Sequence, residues 1–160
     1  MKQAVYLIIW MGMLLVGSSC SHKAEKDMPM RTISVTVEPL RYFTEVIAGD
    51  KFKVVSMVPK GSSPETYDPT PQQLVSLGGS DAYLRIGYIG FEQIWMDKLA
   101  ANAPDMLIFD MSESVDLIRE EEPDHGDHRH EGGVEPHIWN STQNAHIIAD
   151  NIYKALCELD

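Results

Sequence analysis

The sequence is short of cysteine, short of basic residues and without a long apolar run. Its 160 residues include two cysteines, Cys20 and Cys157, too few for a disulfide framework. Thirteen Lys and Arg stand against 24 Asp and Glu, a formal net charge of −11. That balance argues against nucleic acid, whose phosphates demand Lys and Arg, and suits the attraction of cations. The most apolar stretch, residues 4–16, is broken by Gly12 and falls short of the roughly 20 apolar residues a membrane span needs. Also missing are an H-E-x-x-H helix, a G-x-S-x-G elbow and a glycine-rich phosphate loop. Hydrolytic and nucleotide chemistry are thereby left without their usual machinery.

What is present begins with a targeting segment. Lys2, the apolar stretch and the small residues Gly17-Ser18-Ser19 lead to Cys20, a pattern that resembles a bacterial lipoprotein signal. Cys20 would then become the lipid-bearing first residue of the mature chain. An ordinary cleaved signal or an uncleaved anchor would use the same run. Residues 1–20 read as the signal and 21–31, "SHKAEKDMPMR", as a polar tether that includes His22. A lipid at the N-terminus holds a body to the membrane surface while the body stays in water. Loss of Lys2 with the signal leaves the mature part at −12. With Cys20 acylated, Cys157 has no partner in this chain. Its apolar helical setting predicts a buried, inert thiol.

The body, residues 32–160, is long enough for one domain with a real core. Its pattern alternates between strand and helix. "TISVTVEP" (32–39), "FKVVSMVP" (52–59), "AYLRIG" (82–87) and "DMLIFDMS" (105–112) read as four strands. Between them, "LRYFTEVIAG" (40–49), "PQQLVSLGG" (71–79) and "FEQIWMDKLAANAP" (91–104) read as helices. In the third helix Phe91, Ile94, Trp95, Lys98 and Leu99 share one face, with the Lys98 stem laid along it. A last helix, 141–160, opens with the cap-type residues Ser141 and Thr142 and shows a face of Ala145, Ile148, Ala149, Ile152, Leu156 and Leu159. Such alternation predicts an α/β fold, a four-stranded mostly parallel sheet with flanking helices on both faces. Ligands of such sheets bind outside the carboxyl ends of the strands, so the loops after Pro59, Ile86 and Ser112 matter most.

Two of those loops carry motifs: "SPETYDPTP" (63–71) in the first and "VEPHIWNS" (134–141) in the last, joined by "YLRIGYIGFEQIW". In this order they resemble the zinc/manganese-binding solute-binding proteins of bacterial ABC transporters. Members show P-H-x-Y-[DE]-P-[TSK]-P and then [DE]-P-H-x-W, and the zinc-type members often place an acidic, His-rich segment before the second motif. The resemblance covers residues 32–160. It implies that His137 is a metal ligand, that the metal is Zn²⁺ or alternatively Mn²⁺, and that the partner is an ABC-transporter permease. It further implies a periplasmic or cell-envelope location and the N-terminal lobe of a two-lobed protein, with the last helix as the start of the interlobe helix. Two family ligands come from the second lobe, and the sequence is therefore expected to be a fragment.

One departure bears on the metal. Where the family has its first His, this chain has Glu65. A carboxylate oxygen can bind zinc much as imidazole does, directly or through a water. Alternatively Glu65 is a solvated loop acid and the site has lost a ligand. A carboxylate here tilts preference toward manganese or iron.

The loop 120–134, "EEEPDHGDHRHEGGV", holds His125, His128 and His130 among acids and glycines too polar to fold alone. The resemblance makes it an accessory metal-collecting or metal-sensing loop; a solvated insertion with adventitious zinc binding is the plainer alternative. His146 reads as a surface residue, Tyr67 and Asp68 as shapers of the first loop, Trp95 and Trp139 as packing groups. Two other function classes stay open beside transport. One is a zinc-dependent hydrolase, although a catalytic zinc normally keeps three protein ligands and an open position. The other is an exported metal buffer without a transporter.

Overall fold

A computed structural model of the chain describes residues 30–119 and 133–160. The expected signal and tether, with His22 and Cys20, and the three loop histidines His125, His128 and His130 lie outside the described residues. Strand β1 is Arg31–Val35, β2 Phe52–Ser56, β3 Ala82–Arg85 and β4 Leu107–Asp110. Helix α1 is Glu38–Ala48, α2 Pro71–Leu77, α3 Gly90–Asn102 and α4 Thr142–Leu159, with a 3-10 turn at Ile138–Asn140. Every element expected from the pattern is present. β1 is shorter than its β-branched run because Pro39, which fixes φ and lacks an N–H, suits the first turn of a helix. Thr70 closes a capping box with Gln73 at the start of α2. Among the described residues no helix is long and apolar enough to cross a membrane.

The sheet order is β2–β1–β3–β4, and all three pairings are parallel. The chain steps outward from β1 to β2, then crosses back past β1 to β3 and on to β4. Crossovers are right-handed, so this reversal sends α1 to one face and α2 and α3 to the other. The packing agrees: α1 lies against α4, and α2 against α3. Ile33, Val35, Ala82 and Leu84 are wholly buried between the layers, joined by Ile148 and Ile152 of α4. Parallel strands covered on both faces need such continuous apolar runs.

Two helical faces differ from the sequence reading. On α3 the buried residues are Phe91, Glu92, Met96 and Leu99, whereas Ile94 is 57% exposed. The helix is rotated toward a stripe that includes an acid, which hydrophobic periodicity discounts. Lys98 sets its ammonium 4.4 Å from the Trp95 ring centre, its stem beside the indole. On α4, Ala155 is buried while Ala145 and Ala149 are half-buried. Cys157 is exposed and not buried as expected. It stands one position past Leu156, which turns it toward solvent on the same flank as the exposed Tyr153.

Glu92 marks the point where the chain reverses. Its carboxylate accepts hydrogen bonds from the Ile86 amide at 2.8 Å, from the Gly87 amide and from the Thr36 hydroxyl. Thr36 in turn lies 2.9 Å from the Tyr83 hydroxyl. One side chain thus ties the carboxyl ends of β1 and β3 to the first turn of α3. Anionic ligands commonly bind in that crevice; here the protein's own carboxylate fills it. Burial pushes the Glu92 carboxyl above the usual range, against the opposing pull of the Thr36, Ile86 and Gly87 donors. Glu92→Ala strands three buried donors and should cost on the order of 3 kcal/mol in denaturant unfolding. The sign of its pH effect follows from the elevated pKa. Between the ordinary carboxylate range and that raised value the folded state holds a proton that the unfolded state has released. Stability contributed by Glu92 is therefore complete below the unfolded pKa and falls as pH rises through the folded one. Glu92→Gln should remove that segment of the stability–pH curve and leave the rest.

Candidate metal centre

Three loops meet at the carboxyl edge of β1 and β2. They enclose a cavity of about 260 Å³ walled by Val37–Pro39, Val58–Ser62, Pro64, His137 and Trp139. Each loop is held there by its own chemistry.

The first loop is fastened to the start of α3. The Phe91 amide donates to the Pro64 carbonyl at 2.9 Å, and the Gly90 amide donates to Glu65 Oε2 at 2.9 Å. This approach needs a glycine. A Cβ at position 90 would fall 2.6 Å from Glu65 Oε2 and 2.8 Å from its carbonyl oxygen. Further along, Trp95 Nε1 donates to Asp68 Oδ1 at 3.2 Å, and the Tyr67 hydroxyl donates to Gln73 Oε1 at 2.8 Å. Gln73 Nε2 closes the loop on the Met57 carbonyl at 2.8 Å. Tyr67 and Asp68 therefore shape this loop, as their place in the motif predicts. The Glu65 carboxylate suits the positive end of α3. One of its oxygens is engaged there, and Glu65 is not part of the cavity wall.

The last loop delivers His137. An antiparallel bridge between Arg119 and Val134 and a 3.0 Å bond from the Glu135 amide to the Ile118 carbonyl bring the chain back to the sheet edge. After Pro136, His137 enters the 3-10 turn. There Ile138 is buried and the Asn140 amide returns to the His137 carbonyl at 3.1 Å. Ser141 caps α4, and Asn144 reaches the Asp116 carbonyl at 3.3 Å. Trp139 meets the His137 ring edge-on with centroids 5.3 Å apart, and so forms both packing and wall.

Glu135 fixes the state of that imidazole. Its Oε1 accepts the His137 amide at 3.1 Å and also pairs with His137 Nδ1. A carboxylate can only accept, so Nδ1 is the donating nitrogen, and the neutral ring in that tautomer has its lone pair on Nε2. These bonds, the ring first and the amide second, hold the Glu135 carboxyl below the usual range. A histidine whose far nitrogen donates to a carboxylate is the usual form of a metal-ligating histidine. On its other side His137 borders a second cavity, about 300 Å³, shared with Asp116, Glu135 and Asn144.

His137 and the first loop thus share one edge and one cavity, through Pro64. The Glu65 carboxylate faces Gly90. Among the described residues no three His, Cys, Asp or Glu side chains form a ready metal cluster. His146 is exposed on α4. Two acids of this arrangement, Glu135 and Glu92, were not singled out in the sequence. Glu135 is the acid of the [DE]-P-H-x-W motif, two residues before the histidine and across a proline, but was given no role there. Glu92 carried no local signal.

A doubly wound parallel sheet with a carboxylate-held imidazole at an open edge cavity defines the class: an α/β domain with a candidate ligand site at the carboxyl edge of its sheet. The chain belongs to the family described as zinc-uptake complex component A, periplasmic, whose model matches residues 33–160. It is 30% identical over 169 residues to the manganese ABC transporter substrate-binding lipoprotein scaA of Streptococcus gordonii, covering 100% of this chain and 53% of that protein. It is 30% identical over 154 residues to the iron ABC transporter substrate-binding lipoprotein MtsA of Streptococcus pyogenes serotype M1, covering 92% and 47%. A crystal structure of ZnuA superposes with a TM-score of 0.71 at 37% identity, over 81% of this chain and 47% of that one. The chain spans about half the length of the curated relatives it matches. These relatives are substrate-binding proteins and not enzymes, which sets the hydrolase alternative aside.

The contact at Gly90 gives a prediction of sign. Gly→Ala inside a helix ordinarily stabilises by about 0.5–1 kcal/mol. Gly90→Ala should instead destabilise by about 1–3 kcal/mol, because the new methyl meets backbone as well as carboxylate. In urea unfolding, Glu65→Ala should recover only part of that loss, since the carbonyl oxygen remains in the way.

Proposed function

We propose that the protein captures a divalent transition metal, zinc or alternatively manganese, outside the cytoplasm and delivers it to an ABC-transporter permease. The observation that carries this reading is the Glu135-held imidazole of His137 in the wall of the edge cavity. In this reading His137 binds the metal through Nε2. Glu65 contributes Oε1, the oxygen not held by the Gly90 amide. His125, His128 and His130 form an accessory loop that raises the local metal concentration without building the main site.

Choice of metal turns on position 65. Imidazole suits zinc, copper and iron, whereas carboxylate oxygens favour magnesium, calcium and manganese. A His137–Glu65 pair is a mixed set. That the relatives are named for manganese and for iron is in keeping with it. We place the chain in the periplasm or cell envelope, anchored through a lipid on Cys20, with residues 21–31 as tether and 32–160 as the N-terminal metal-binding lobe. Relatives named as lipoproteins support the anchor.

Calorimetry with Zn²⁺ and Mn²⁺ tests the site. His137→Ala should lose the most affinity. Glu65→Ala should lose less, and more for Mn²⁺ than for Zn²⁺. Deletion of residues 121–133 should remove only a weak additional site. Loss of tight binding in the deletion with retention in His137→Ala would reverse the roles and defeat the assignment.

The anchor has its own test. Metabolic labelling with a radioactive fatty acid should mark the wild-type protein and leave Cys20→Ser unmarked. Equal labelling of both, or of neither, is the result that rejects lipidation at Cys20.

A further inference from the structure

The cavity that holds His137 contains a carboxylate that neither family motif includes. Glu38, in the first turn of α1, lines it together with His137 and Pro64. From these positions we infer that Glu38 is a metal-facing residue of this site, an oxygen donor opposite His137. The inference rests on the proposed metal binding and adds a ligand to it.

The orientation of Glu38 is set by Arg41. Its guanidinium holds Glu38 Oε2 through Nε at 3.0 Å and Nη2 at 2.7 Å, one turn along the helix. Both bonds go to the same oxygen, so Oε1 is left out of the fork. Arg41 is also shared: its Nη1 binds Glu45 Oε1 at 2.6 Å. One guanidinium between two carboxylates leaves a net charge of −1 on this group of three. Arg41 holds the Glu38 carboxyl below the usual range. Lys60, from the same cavity wall, is the competing charge. It is exposed on the loop after β2, and its long, flexible stem allows it to swing into water.

Position makes the contrast with Glu65 clear. Glu65 gives one oxygen to the Gly90 amide and lies outside the cavity wall, whereas Glu38 is part of that wall. The chain has a carboxylate where the family has its first histidine, fastened to Gly90 outside the cavity wall, and α1 supplies a carboxylate to the wall itself. A site with one imidazole and two carboxylates discriminates further toward manganese or iron over zinc than position 65 alone would.

Calorimetry with MnCl₂ and ZnCl₂ on the wild type, Glu38→Gln, Arg41→Gln and His137→Ala decides the matter, with thermal melts to confirm folding. Glu38 and Arg41 form a part-exposed pair, and such pairs contribute little to stability, so both variants should fold. Glu38→Gln should weaken Mn²⁺ by at least about tenfold, since a ligand is worth no less than the partner that orients one. Zn²⁺ should lose less. Arg41→Gln breaks the same ion pair but keeps the carboxylate, and should weaken Mn²⁺ far less or strengthen it. Glu38→Asp, which keeps the charge but withdraws the oxygen, should fall between wild type and Glu38→Gln. Equal losses in Glu38→Gln and Arg41→Gln would mean a merely structural ion pair and overturn the inference. Wild-type affinity in Glu38→Gln with loss in His137→Ala would overturn the Glu38 role alone. Wild-type affinity in His137→Ala would remove the site itself.

Discussion

The reversal of chain direction between β1 and β3 is the constraint on which the rest depends, and Glu92 is the side chain that closes it. Leaving β1 for one neighbour and β3 for the other opens a crevice between their carboxyl ends. The amides of Ile86 and Gly87 point into that crevice and need an acceptor. Many folds of this kind give the acceptor role to a bound anion. In this protein Glu92 takes it. The arrangement costs desolvation of a carboxylate, offset by three donors in a low-dielectric setting, where each hydrogen bond is stronger than in water. Because Glu92 lies in the first turn of α3, it also sets where that helix begins. The Gly90 and Phe91 amides, and therefore the first loop they grip, are placed by the same clamp.

A common rule then runs through the acids around the carboxyl edge: each has one oxygen already assigned. Glu135 spends its Oε1 on His137, Glu65 its Oε2 on Gly90, and Glu38 its Oε2 on Arg41. Such bonds restrict side chains that would otherwise lose rotamer freedom on binding a metal. For Glu135 and Glu38 the same bonds hold the carboxyl below its usual range. Preorganisation of this kind suits a site that must select an ion from dilute solution.

How far the sequence carried depended on whether a signal was local. The four strands and four helices follow from β-branched runs, glycine stops and caps, and all were legible. The two motifs were legible as short proline-containing runs, the first with Pro64 and Pro69 about Glu65–Asp68 and the second with Pro136 before His137. The α3 face was misread because a buried acid, Glu92, breaks the hydrophobic pattern, and its three donors come from residues 36, 86 and 87. Cys157 was misread for a related reason. In an 18-residue helix with alanines on several sides, one step of 100° separates a buried position from an exposed one. Glu38 was hidden in what resembles the end of a strand. Only the placement of α1 beside the loop after β2 brings it to His137.

Topology also sorts donor types between the two ends of the sheet. Cys157, the described thiol, lies with Lys51, Phe52 and Asp160 in a cavity of about 370 Å³ at the amino end of β2. There Lys51 and Asp160 form an ion pair, which raises the Lys51 ammonium above its usual value. His137, Glu38 and the first loop occupy the carboxyl end. A strand of five residues separates the two ends by about 17 Å, too far for one ion to be shared. The carboxyl-edge cavity is thus furnished with imidazole nitrogen and carboxylate oxygen, without thiolate. Among the described residues this donor set, under the proposed metal reading, matches borderline and hard divalent ions rather than soft ions such as Cu(I), which thiolates select. Strand direction, by placing the loops, thereby decides which donor types share a cavity.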